Sequence, residues 1–222
     1  MISSNIVLKA NSLTKIIENK IILNQVSFEI LNNEIFVLIG SNGVGKSVLI
    51  RCLLGLETIS EGTVEINGSL NRDRLFLRRQ TGLVASDHID HLNLLTPSEY
   101  FEFIINIFQI PSNYAINFID QTSRKLFVEP HLKTPIVNLS FGTRKKIQLL
   151  GVLLYQPKIL FCDEIFEGLD SKSVTNILEI IKNYVQNNCS VFLTTHISSL
   201  AKEISDKYCV LENGCITNAS WE

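Results

Sequence analysis

The chain has no uncharged run of 18 apolar residues, so no segment reads as a membrane-crossing helix, and MISSNIVLKANSLTK at 1–15 lacks the apolar core of a signal peptide. It lacks an excess of charge of either sign: 20 Lys and Arg stand against 22 Asp and Glu, a formal net charge of −2. So balanced a chain carries no overall electrostatic footprint for nucleic acid, and no nucleic-acid partner is expected. The five cysteines are odd in number and have no C-x-x-C spacing, which argues against a disulfide framework or a zinc site. Cys52, Cys162, Cys189, Cys209 and Cys215 read instead as reduced core residues of a cytosolic protein. Internal repeats and low-complexity tracts are missing too.

What is present fits a globular chain. Hydrophobic residues make up 45% and charged residues 19% of the 222, enough to bury a core and too apolar for long disorder. Apolar strands alternate with helical stretches. IVLKA (6–10), KIILNQVSFEI (20–30) and EIFVLIG (34–40) read as strands, the last an apolar run of the kind buried in a sheet. VGKSVLIRCLLGL (44–56) reads as a helix with Gly55 near its end, and TVEIN (63–67) as a strand closed by the Asn67-Gly68 turn. TGLVAS (81–86) reads as another strand. From 97 to about 155 the pattern is helical, with a loop around Pro130 and Pro135. KILFCDE (158–164), SVFLTTH (190–196) and DKYCVLE (206–212) are strands again, with a long helix expected at 171–187. The expectation is one α/β domain over 1–222 with a largely parallel sheet and a helical lobe, about 97–155, inserted in it.

Three stretches carry chemistry. GSNGVGKS at 40–47 fits G-x-x-x-x-G-K-[ST] and sits between an apolar strand and a helix. Gly40, Ser41, Asn42, Gly43, Val44 and Gly45 would wrap phosphates with backbone N–H groups, the glycines making room for the oxygens. Lys46 would bring charge to the outer phosphates and Ser47 a hydroxyl for Mg²⁺. KILFCDE places Asp163 at the carboxyl edge of a sheet, where it would hold Mg²⁺ directly or through a water, and Glu164 beside it could take a proton from attacking water. TTH ends another strand, and His196 could hydrogen-bond a γ-phosphate or the pair of Glu164 and water. His88, His91 and His131 read as surface or loop residues. In LSFGTRKKIQ (139–148) Ser140 can cap a helix, Gly142 permits close approach, and Arg144, Lys145 and Lys146 crowd cations onto the helix start, where acids would suit the dipole better.

In this order these residues resemble the nucleotide-binding domain of ABC transporters over essentially the whole chain. GSNGVGKS stands as the Walker A loop, ILFCDE as the Walker B strand, EGLD with Asp170 as the D-loop, TTH as the H-loop and LSFGT as the signature, usually written LSGGQ. The resemblance implies an N-terminal antiparallel β part beside the P-loop core, ATP and Mg²⁺ as cofactors, and ATP hydrolysis. It also implies a head-to-tail dimer with a second ATPase subunit, in which Leu139, Ser140 and Gly142 act on the partner's nucleotide. The partner would be a transmembrane permease, with the chain peripheral on the cytoplasmic face.

Departures accompany the resemblance. Phe141 and Thr143 break the signature. Ile17 stands where an aromatic usually stacks on adenine, Ser86 where the glutamine loop has its glutamine, and Ile165 where proline is usual. They raise a non-catalytic or weakly active subunit as an alternative, with a soluble ATPase lacking a membrane partner as another. LTPSEYFEFIINIFQIP (95–111) resembles the lobe start of exporters of the ABC-2 type, which favours export. A groove for a permease helix is expected over 86–100, using Leu92, Leu94 and Leu95.

Overall fold

The computed structural model describes residues 6–71, 73–86 and 92–219, and the statements below concern those residues. His88 and His91 lie outside them, as does part of the 86–100 stretch. Strands β1 (Ile6–Ile17) and β2 (Lys20–Leu31) form a hairpin turned by Glu18 and Asn19. β1 runs seven residues beyond the expected IVLKA, because Ser12, at φ 47°, absorbs a register shift between Ala10 and Leu13 that breaks the alternation. After β3 (Ile35–Ile39) and α1 (Lys46–Leu53), β4 (Glu61–Ile66) and β5 (Ser69–Leu70) close on the Asn67-Gly68 turn as the sequence predicts. Both turn residues have φ above zero, which suits this tight hairpin. Next come α2 (Arg74–Gln80), β6 (Thr81–Val84), α3 (Pro97–Phe108), α4 (Ser112–Lys125) and α5 (Phe141–Leu154). β7 (Ile159–Asp163), α6 (Ser171–Gln186), β8 (Ser190–Thr195), α7 (Ser198–Ile204), β9 (Lys207–Glu212) and β10 (Cys215–Ala219) complete the order.

Two sheets result. One is antiparallel, in the order β2-β1-β4-β5. The other runs β10-β9-β3-β8-β7-β6, parallel from β9 to β6 with β10 antiparallel at its edge. The fold is therefore α/β with the antiparallel part that the resemblance implied. Strand alternation divides the interior in two. Phe36, Phe161 and Phe192 point to a core shared with the antiparallel sheet and α1, where the Phe28 and Phe36 rings stack 5.0 Å apart. Val37, Leu160 and Leu193 point the other way, onto α5, α6 and α7. Burying a phenylalanine fully is worth about 1.5–3 kcal/mol, so these rings bind the two sheets firmly.

Local signals explain the helix starts. Thr96 and Glu99 form a capping box ahead of α3, with Pro97 in its first turn. Ser140 and Asp170 cap α5 and α6 by accepting from Thr143 and Ser173. The loop expected around Pro130 and Pro135 folds into two short 3₁₀ turns, Glu129–His131 and Ile136–Asn138. Of the five cysteines, Cys215 departs from the core reading: β10 lies at the sheet edge and leaves it exposed.

Candidate functional site

β3 delivers the chain to the loop at 40–45, and α1 leaves from it. Gly43 and Gly45 have φ of +79° and +113°, where any side chain would be strained. Gly40 is small for another reason: a Cβ there would lie 2.8 Å from Val44 Cγ1 and 2.9 Å from the Leu211 carbonyl oxygen. Room for phosphate oxygens was the sequence-based reason for these glycines; at Gly40 the neighbouring chain supplies it instead. The Lys46 side chain curls over the loop. Its Nζ donates to the carbonyls of Gly40 (2.7 Å) and Ser41 (2.9 Å) and stands 3.0 Å from Glu164 Oε1.

β7 brings the acids. Asp163, 4% exposed, closes the strand, and the backbone then turns out at Glu164, whose φ is +48°. Glu164 Oε2 lies 3.0 Å from His196 Nδ1 at the end of β8, while Oε1 is buried, ion-paired to Lys46 and without an aligned hydrogen bond. Asp163 receives two hydroxyls, Thr194 on Oδ1 (2.6 Å) and Ser86 on Oδ2 (3.0 Å). A cleft of about 280 Å³ opens here, walled by residues 42, 43 and 45–48 on one side and by Ser86, Glu164 and Glu167 on the other. The structure thus brings Lys46, Ser47, Ser86, Asp163, Glu164 and His196 into one neighbourhood. Glu167, the first residue of the EGLD stretch, is a cleft residue that the sequence reading passed over in favour of Asp170.

Among the described residues no group of three His, Cys, Asp or Glu could hold a metal alone. The Ser47 hydroxyl and the Asp163 carboxylate nevertheless fit Mg²⁺, an ion that keeps waters and takes substrate phosphates for its remaining positions.

Other expected residues lie elsewhere. Ile17 ends β1, pairs with Lys20, is 38% exposed and is not part of the cleft lining; the aliphatic side chains against Gly45 are those of Ile22 and Leu23. Leu139, Ser140, Gly142 and Asp170 stand at the starts of α5 and α6, outside the cleft lining. The three cations of α5 are engaged within the chain, Lys145 and Lys146 buried and Arg144 partly exposed. Arg144 donates to the carbonyls of Leu139 and Val137. Lys145, 3% exposed, donates to the Glu164 carbonyl at 2.5 Å, and burial pushes its pKa down against the pull of Glu167. Lys146 donates to Ser173 Oγ, and burial lowers its pKa while Asp170 raises it. Hydrogen bonds from Ser173 hold the Asp170 carboxyl below its usual range. The departure at Phe141 has a partner in the same chain: its ring covers Gly168, where a Cβ would come within 2.7 Å. Gly142 similarly makes way for Leu169 and the Gly168 carbonyl.

A larger groove of about 1060 Å³ runs between the turn after α1, α2 and the outer face of α3. Leu56, Leu75, Phe103 and Ile107, each more than half exposed, line it beside Arg74 and Arg78. Of the 86–100 stretch, the described residues meet this groove only in part. Leu92 reaches its lining, whereas Leu94, 89% exposed, is not part of it, and the Leu95 carbonyl binds the Ile136 N–H. Among the described residues no helix is long and apolar enough to cross a membrane.

The ABC transporter family model matches residues 23–167. Nod factor export ATP-binding protein I of Rhizobium leguminosarum bv. viciae is 31% identical over 202 residues, covering 88% of this chain and 63% of that protein. Methionine import ATP-binding protein MetN of Haemophilus influenzae is 30% identical over 221 residues, covering 93% and 63%. The chain thus spans about 63% of the length of these relatives. A solved structure described as the ATP binding subunit of an ABC transporter superposes with a TM-score of 0.88 at 25% identity, over 95% of this chain and 88% of that one.

Proposed function

The chain belongs to the ABC transporter family, and on that premise we propose that it binds ATP with Mg²⁺, hydrolyses it, and powers a separate transmembrane permease. The observation that carries the reading is the Lys46–Glu164–His196 chain of contacts at the mouth of the phosphate loop. A cation for phosphate, a carboxylate beside it and a histidine to orient that carboxylate are the parts that water attack on a terminal phosphate requires. Ser47 and Asp163 would hold Mg²⁺, which would neutralise charge on the phosphate oxygens. Lys46 exchanges the loop carbonyls and Glu164 for phosphate oxygens. Glu164 then accepts the proton of the attacking water, and His196 fixes the carboxylate's orientation through Oε2. Together Glu164 and His196 support an active subunit over a non-catalytic one.

We assign the apolar groove beside α2 and α3 to the permease. Its arginines favour a cytoplasmic segment carrying both apolar anchors and acids. Export is the proposed direction, supported by the 95–111 stretch and by the Nod factor export relative, with the methionine import relative on the other side. Ser140 and Gly142 are proposed to serve the nucleotide of a second subunit, through the helix start and hydroxyl rather than through the cations behind them.

The test is ATP binding and phosphate release by the purified chain beside Lys46→Ala. Wild type should bind and turn over ATP, and Lys46→Ala should lose detectable binding in calorimetry while keeping its circular dichroism spectrum. Equal affinity in the two would overturn the assignment of the phosphate loop.

A further inference from the structure

Thr194 makes two contacts with one atom. It is fully buried on β8, directly opposite Asp163 in the parallel register with β7. Its Oγ1 donates to Asp163 Oδ1 at 2.6 Å and accepts the Glu164 N–H at 3.1 Å. Thus one hydroxyl touches both consecutive acids, gripping one by its carboxylate and the other by its backbone. The second contact sits at the bend where Glu164, with φ +48°, leaves the strand. A non-glycine residue held in that region persists only where its surroundings enforce it. Here the N–H of the strained residue has a buried hydroxyl as its acceptor.

We infer that Thr194 is a positioning residue for the proposed ATPase reaction, its hydroxyl setting the separation of the magnesium-binding carboxylate of Asp163 from the proton-accepting carboxylate of Glu164. The inference rests on the reading given above and adds a residue to it. Thr194 acts on Asp163 through Oδ1 and on Glu164 through the main chain, without touching the Glu164 carboxylate. Ser86 completes the grip on Asp163 by donating to Oδ2. With both oxygens anchored, the carboxylate cannot swing about its own axis. Preorganisation of this kind is why partners behind a metal ligand are worth about 10–100-fold in affinity or rate. A valine would fill the same space, release Asp163 Oδ1 and leave the Glu164 N–H buried without its acceptor.

Thr194→Val and Thr194→Ser separate the hydroxyl from the shape. Two measurements read them: calorimetric ATP affinity in Mg²⁺ and in EDTA, and the split of kcat against KM. In Thr194→Val, kcat should fall by about 10–100-fold with KM little changed. Its affinity gain on adding Mg²⁺ should shrink, while its affinity in EDTA stays at the wild-type value. Thr194→Ser should restore both. If Thr194→Val is too unstable to purify, Thr194→Ala replaces it, differing from Thr194→Ser by one oxygen atom. A hydroxyl-free variant with wild-type kcat and Mg²⁺ dependence overturns the inference, as does a serine variant as impaired as the valine. A wild-type chain that binds no ATP overturns the underlying reading, and this inference with it.

Discussion

At the scale of single residues, Glu164 has the most demanding position in the site. Its backbone is strained, one carboxylate oxygen meets Lys46 and the other His196. Lys46 cannot serve both Glu164 and a phosphate at full strength, so removing the carboxylate charge should free the lysine for ATP. Glu164→Gln is therefore expected to lower turnover by about 10²–10⁴-fold, the usual cost of losing a general base. ATP affinity should hold or rise. Phosphate release and calorimetry on the same preparation check both halves, and undiminished turnover would remove Glu164 from its role. The sequence disclosed these residues because their relation is local: GSNGVGKS and the Asp163-Glu164 pair are fixed by covalent spacing beside apolar strands. It did not disclose the use of Arg144, Lys145 and Lys146, whose partners lie in other elements or on carbonyls that no composition marks. Thr194 escaped for the same reason. A threonine in an apolar strand looks like any β-branched residue until its neighbour across the ladder is known.

At the scale of elements, length decided what could be read. α3, α4, α5 and α6 are 12 to 16 residues long and carry full helical periodicity, so they stood out. α2 and α7, of 7 residues each, gave too short a helical pattern, and the edge strand β10 lacks the continuous apolar run that marked the equally short β3 and β7, so none of the three was anticipated. Nor was the close crossing of α3 and α5 foreseen. A Cβ on Gly151 would lie 2.5 Å from Tyr100 Cε1 and 2.9 Å from Ile104 Cδ1, a requirement set by tertiary packing alone. The missed α2 matters most, because it supplies one wall of the proposed permease groove. Leu75 on α2 and Ile107 on α3 are 76% and 57% exposed, so changing both to Asp should leave folding and ATP binding intact. The double variant should fail to co-purify with the permease, since it places two charges in an apolar contact facing a proposed acidic segment. Co-purification at wild-type yield would put the docking surface elsewhere.

At the scale of the whole molecule, the buried titratable groups set an alkaline limit. Burial raises the thiols of Cys52 and Cys209 from an ordinary 9.0 to about 11, and pushes that of Cys162 further. It likewise raises the phenols of Tyr100, Tyr155 and Tyr184. A group whose folded pKa exceeds its unfolded value adds stability that is complete below the unfolded pKa and is lost as pH climbs toward the folded one. Lys145 and Lys146, with lowered pKa values, act in the opposite sense, but they are fewer. Melting temperature should accordingly decline from about pH 9 upward, and Cys52→Ala should flatten the start of that decline. A profile level to pH 11 would contradict the burial of these groups. The same interior fixes a mechanical relation. Lys145, near the start of α5, is bonded to the Glu164 carbonyl, while Phe141, the first residue of that helix, lies on Gly168 in the loop between β7 and α6. In the proposed head-to-tail pair, the α5 start would address one nucleotide and Glu164 the other. A single ammonium group therefore works as a tie rod between the start of α5 and the strained main chain that carries the proposed base, so neither can shift without pulling on the other.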